Sequence, residues 1–223
     1  MNPTRAKKRT SKTAIESIDE IATVRIELLE SEPLIWREVE VPTSMTLLGL
    51  HDVVQAVMGW FDYHLWKFTI GKRSYGVLDE DDPWVDNPPA DATKTRLRDV
   101  LHPRKTVIDY LYDFGDGWEH RLVVTKIRAG EPDLDYPRYV GGEHVAPPED
   151  CGGIYGFYDK LDALADPEHP DHDEVAEWLE GYDPHDLDEL PIKYALGRMA
   201  ARRRAARSRA RKASAKQDRV NPK

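Results

Sequence analysis

The chain has 223 residues, of which 40% are hydrophobic and 33% charged, and its formal net charge is −9. That hydrophobic share can bury one core, but the longest apolar runs, such as Leu122-Val123-Val124, fall far short of the roughly 20 residues of a membrane span. The lone cysteine, Cys151, excludes an intrachain disulfide framework, and no apolar signal segment follows the polar start Met1-Asn2-Pro3-Thr4-Arg5, so a cytoplasmic protein without a membrane partner is expected.

Residues 1–20 carry little periodicity and are expected to be a disordered basic tail. Residues 23–29 alternate, with Val24, Ile26 and Leu28 on one face, and the Glu30-Ser31-Glu32-Pro33 turn leads to a second strand over 34–41. Ser44, with Thr43 and Thr46 as competitors, is placed to cap a helix over 45–58 that Gly59 stops. Strands follow over 64–70 and 73–77, then an acidic, proline-rich loop over 79–95 and a helical turn near 97–101. Residues 107–114 and 118–127 form the clearest hairpin, joined by Gly115-Asp116-Gly117. Helices are expected over 156–165, 173–180 and 190–204. The pattern is a single α+β domain over residues 21–197, starting strand-strand-helix-strand-strand in β-grasp-like order and continuing with a second hairpin and C-terminal helices.

Residues 198–223 form a basic tail, expected to be helical at its start and then disordered. From Lys193 to the end there are twelve basic residues and one acidic, and before Thr13 five basic and none acidic, which leaves 15 basic and 40 acidic in residues 13–192. A body that acidic repels phosphate, so nucleic acid would be met only by the tails, at Arg202, Arg203, Arg204, Arg207, Arg209, Arg211 and Lys212. Folding back on the acidic body, or solubilising it, is the equal alternative.

Two segments concentrate reactive side chains. In Tyr112-Asp113-Phe114-Gly115-Asp116-Gly117-Trp118-Glu119-His120 the hairpin register decides the chemistry. A two-residue turn sets Asp113 against His120, an arrangement that orients a base or a metal ligand. A three-residue turn sets Asp113 against Glu119, like charges that call for a cation or a shared proton. The bland alternative is a tight turn with Trp118 in the core. The Asp-Phe-Gly triplet lacks the glycine-rich loop and His-Arg-Asp loop of a protein kinase. The second segment, Pro147-Pro148-Glu149-Asp150-Cys151-Gly152-Gly153, sets two carboxylates beside the only thiol. They could serve zinc, although the spacing matches no standard motif. Otherwise Glu149 or Asp150 holds backbone amides and Cys151 fills a small buried space. The histidines of residues 166–173 read as an exposed connection with Asp171 as helix cap, and His51 as a core-edge histidine.

These segments, with Pro33-Leu34-Ile35-Trp36-Arg37, Met58-Gly59-Trp60 and His64-Leu65-Trp66-Lys67-Phe68, resemble the plasmid pRiA4b ORF-3-like family over residues 22–190. The resemblance implies an α+β domain of bacteria and archaea found on plasmids or near mobile elements, and it implies no activity. The leading expectation is a non-enzymatic binding or accessory module with a protein or small-molecule partner. The alternative is a metal-dependent hydrolytic enzyme, with a divalent metal on Asp113, His120, Asp150 and Cys151 and His64 in reserve. Asp116, Trp118, Glu119 and Glu149 complete that candidate loop.

Overall fold

The computed structural model describes residues 19–77, 88–102 and 105–220. The expected disorder of the first residues, and most of the acidic loop after residue 77, lie outside them.

The chain forms β1 (Glu20–Leu28), β2 (Trp36–Pro42), α1 (Leu47–Met58), β3 (Trp66–Ile70), β4 (Arg73–Gly76), β5 (Ala90–Asp91), α2 (Leu97–Val100), β6 (Thr106–Tyr112) and β7 (Trp118–Ala129). It continues with β8 (Arg138–Glu143), α3 (Gly153–Ala165), α4 (His172–Trp178) and α5 (Glu189–Val220). The eight strands of the described residues make one sheet in the order β5-β4-β3-β6-β7-β1-β2-β8, antiparallel throughout except for the β4–β5 pair. This is a single α+β domain. The expected element order holds at its start, but the β6–β7 hairpin inserts between β3 and β1, so the β-grasp likeness ends there.

One face of the sheet is apolar. Val24, Ile26 and Val39 point inward with Ile108, Tyr110 and Leu122, and α1 lays Leu47, Leu50, Val54 and Val57 over them. Thr46, not Ser44, caps α1, its hydroxyl accepting the Gly49 amide at 3.1 Å, and Gly59 closes the helix in the left-handed conformation. Asp171 stands at the cap position of α4, although its side chain makes no capping bond.

Strand β8 was not legible as a strand because two glycines interrupt it. A Cβ at Gly142 would lie 2.6–2.7 Å from Tyr139 Oη, Arg37 Cδ and the Trp36 carbonyl, so the close β2–β8 approach admits only glycine. Arg37 is a buried cation on the inward face. Its Nε donates to the Val57 carbonyl at 2.9 Å, and its Nη1 donates to the Trp36 and Glu143 carbonyls at 2.8 Å each. The guanidinium thus ties β2, β8 and the last turn of α1 together, beside the negative end of that helix.

Candidate metal centre

Three loops meet at one end of the sheet: residues 59–65 after α1, 113–117 between β6 and β7, and 144–152 before α3. Each is locked before it can present a ligand.

The hairpin turn is longer than either expected register. Tyr112 pairs with Trp118, Leu111 with Glu119 and Tyr110 with His120, so Asp113 faces neither His120 nor Glu119. Asp113 leaves the ladder in the left-handed region, at φ 54°, and its amide donates to the Leu65 carbonyl at 2.9 Å. Its carbonyl takes the Gly117 amide at 2.7 Å and its Oδ1 takes the Gly115 amide at 2.9 Å. This Asx-type turn favours aspartate over a bulky residue, and it leaves Oδ2 free of the turn.

Loop 59–65 is held by a closed ring of hydrogen bonds. Gln55 Nε2 donates to the Tyr110 hydroxyl (3.0 Å), which donates to His51 Nδ1 (2.8 Å). His51 Nε2 donates to Asp62 Oδ1 (2.8 Å), and the Asp62 amide returns to Gln55 Oε1 (3.1 Å). Closure of the ring assigns the neutral, Nε2-protonated tautomer to His51. Burial lowers its pKa, against the opposing pull of Asp62, which agrees with the neutral form. The imidazole is fully buried and stacks on Trp66 at 4.0 Å, deeper than a core-edge position.

The third loop is fastened to the other two. Trp60 Nε1 donates to the Pro147 carbonyl at 2.8 Å. Glu149 takes the Phe61 amide on Oε2 at 2.8 Å and the Tyr112 hydroxyl on Oε1. Asp116 Oδ2 takes the Gly152 amide at 3.1 Å. Gly153, at φ 70°, lets α3 start hard against the turn, since a Cβ there would sit 2.3 Å from the Asp116 carbonyl oxygen.

These fastenings bring together His64, Asp113 and Asp150, whose ligand atoms all lie within 4.8 Å of one another. His64 Nε2 is 3.1 Å from Asp150 Oδ1 and 3.6 Å from Asp113 Oδ2. Two ligands of one tetrahedral ion at about 2.1 Å stand about 3.4 Å apart, which those distances bracket. Nε2 is shut off from solvent and makes no well-angled hydrogen bond, as suits a lone pair directed at an ion. One imidazole nitrogen and two carboxylates are a donor set for zinc or manganese. Asp62, Asp113 and Asp150 are three of the five non-glycine residues with positive φ among the described residues, so left-handed backbone concentrates at this corner. Around it Phe61, Tyr63, Leu65 and Phe114 are exposed.

His120 and Cys151 stand apart from this cluster. His120 is buried, with Nδ1 donating to the Trp118 carbonyl at 3.1 Å, and desolvation brings its pKa down to about 4. Cys151 is fully buried, where burial, followed by the Asp116 charge, pushes its thiol up to about 12, and its sulfur does not join the group formed by His64, Asp113 and Asp150. Trp118 belongs to the core and Glu119 is exposed on the outer sheet face. The reserve histidine His64 is the one that joins the two acidic loops. Its signal was only that it follows the helix stop and precedes an aromatic strand. Of the tail residues, Arg203, Arg204 and Arg207 pair with Asp19 and Asp135, while Arg202, Arg209 and Lys212 are exposed and Arg211 follows on the same helix. That helix, α5, continues past its expected end to Val220.

Fold and corner together define an α+β domain with a histidine–aspartate cluster at one end of its sheet. The chain belongs to the plasmid pRiA4b ORF-3-like protein family, whose model matches residues 20–190. It is 37% identical over 161 residues to the uncharacterized protein y4hQ of Sinorhizobium fredii, spanning 71% of this chain and 80% of that one. A crystal structure of a protein of unknown function, MM3350 from Methanosarcina mazei Go1, is similar with a TM-score of 0.72 and 30% identity. That similarity covers 78% of this chain and 97% of the archaeal one. Among the described residues no helix is long and apolar enough to cross a membrane.

Proposed function

We propose that the chain is a cation-dependent binding module, in which His64, Asp113 and Asp150 hold a divalent ion and the ion holds an anionic group of a protein or small-molecule partner. The observation that carries this reading is the convergence of three ligand atoms within 4.8 Å from three separately fastened loops. The exposed side chains of Phe61, Tyr63, Leu65 and Phe114 supply apolar contact area beside it. The lone buried Cys151 supports a reducing cytosol as the working compartment. The plasmid in the family's name supports an accessory role on mobile elements.

A second reading rests on ligand number. Three protein ligands leave a coordination position for water, the arrangement of a metal-dependent hydrolase. The test is metal content after incubation with zinc or manganese and desalting, on the native chain and on His64→Ala, Asp113→Asn and Asp150→Asn. Near-stoichiometric metal that each substitution removes supports the centre. Equal content in all four proteins overturns it. Turnover of simple esters or phosphoesters by the loaded protein, lost in the same variants, would favour the hydrolase over the binding module.

A further inference from the structure

The family match ends at residue 190, and α5 runs from Glu189 to Val220, so nearly all of this helix is an addition to the common domain. From Arg198 to Arg219 its sequence is dominated by arginine, lysine and alanine, with Met199 as its single large apolar residue. A helix that lies in a membrane interface needs an apolar face, and a coiled coil needs an apolar seam. This segment has neither.

Its arginines divide between two faces. Ile192, Leu196 and Ala200 are buried against the domain, and Arg203 continues that side. Arg203 Nη2 lies 2.6 Å from Ser44 Oγ and 3.3 Å from Asp19 Oδ2. Arg207 Nη1 lies 2.5 Å from the same Asp19 oxygen, and Arg204 Nη1 2.5 Å from Asp135 Oδ2. At 100° per residue, Arg198, Arg202 and Arg209 fall within an arc of about 40°, roughly opposite the docked side. All three are exposed and pair with no carboxylate among the described residues.

We propose that this outer face of α5 binds the phosphodiester backbone of nucleic acid, with Asp19 and Asp135 clamping the inner arginines so that the outer ones point away from the acidic domain. Charge complementarity selects the partner, because a dense polyanion is matched by a row of guanidinium groups that have no carboxylate partner among the described residues, Arg198 lying over the Tyr194 ring, with no hydrophobic requirement. The proposal is independent of the metal centre. It makes the domain a cargo or adaptor held on nucleic acid by its last helix.

The test is fluorescence anisotropy of a labelled DNA duplex of about 20 base pairs, and of a single-stranded RNA of similar length, between about 50 and 200 mM salt. The full chain is compared with Arg198→Gln/Arg202→Gln/Arg209→Gln and with Asp19→Asn. The native chain is expected to bind with steep salt dependence. The triple variant should lose about 10-fold or more at low salt, and its log–log salt slope should fall by about 3. Asp19→Asn should keep or increase binding. Circular dichroism checks that the helix persists. Duplex and RNA binding unchanged in the triple variant overturns the proposal. So does binding confined to vesicles containing phosphatidylserine, which would make the helix a membrane anchor.

Discussion

Glu149 accepts the Tyr112 hydroxyl on one carboxylate oxygen and the Phe61 amide on the other, so one residue of the third loop holds both β6 and the loop that carries His64. Burial, and then this carboxylate, raise the Tyr112 pKa above the ordinary phenol range, which keeps the hydroxyl a donor. Glu149→Ala strands two donors and frees Asp150 beside it. It should cost about 1–3 kcal/mol in urea unfolding, and metal affinity should fall about 10-fold by titration calorimetry. Unchanged affinity in a folded variant would separate Glu149 from the centre.

The Gln55–Tyr110–His51–Asp62 ring predicts non-additive losses. His51→Leu should cost about 2–4 kcal/mol and Tyr110→Phe about 1–3 kcal/mol. The double variant should cost less than the two combined by about 1 kcal/mol, because either change already opens the ring. Urea denaturation of the four proteins measures this. Simple additivity would mean that the members act separately.

His120 predicts acid sensitivity. Its folded pKa of about 4 lies below the ordinary value of 6.5, so between those limits the unfolded chain binds a proton that the folded chain refuses. This contribution is fully present above about pH 6.5, declines as pH falls toward 4 by about 3 kcal/mol, and is flat below that. His120→Leu should remove this part of the slope, as read from unfolding free energies measured at several pH values.

Gly153→Ala places a Cβ in the left-handed region and against the Asp116 carbonyl. The expected cost is about 2 kcal/mol or more, with the start of α3 pushed away from the hairpin turn. Thermal unfolding reads the loss. Gly181→Ala, where φ is also positive but the surrounding space is open, should show only the conformational part.

Cys151 should be inert. A buried thiol with its pKa raised to about 12 is mostly undissociated at neutral pH, so an aromatic disulfide reagent should label it only on unfolding. Cys151→Ala should retain metal in full. Rapid labelling of the native chain, or loss of metal, would return the thiol to the site.

The strands and helices that bury one face announced themselves by period. Val24, Ile26 and Leu28 alternate in β1, and Leu47, Leu50, Val54 and Val57 repeat in α1, because burial imposes those spacings. The hairpin register was not readable from Gly115-Asp116-Gly117. It depends on Asp113 turning left-handed and giving its amide to Leu65, a contact with a segment distant in sequence. For the same reason the acidic loops stood out along the chain while the histidine that the fold sets between them did not. His120 sits next to them along the chain but points into the core, and His64 reaches them only through the folded sheet. The two-glycine strand β8 was hidden because Gly142 answers to Arg37 and Trp36 on the facing strand and to Tyr139 of its own strand rather than to strand propensity.

The left-handed backbone at Asp62, Asp113 and Asp150 makes shape and charge separable at this corner. Asparagine tolerates the same conformation nearly as well as aspartate, whereas β-branched residues do not. A chain could therefore lose its negative charges one aspartate at a time, by single amide replacements, and keep much the same loop paths. Relatives with neutral corners would then share this architecture while offering a different ligand preference, and the donor set at these positions becomes the quantity to compare among them.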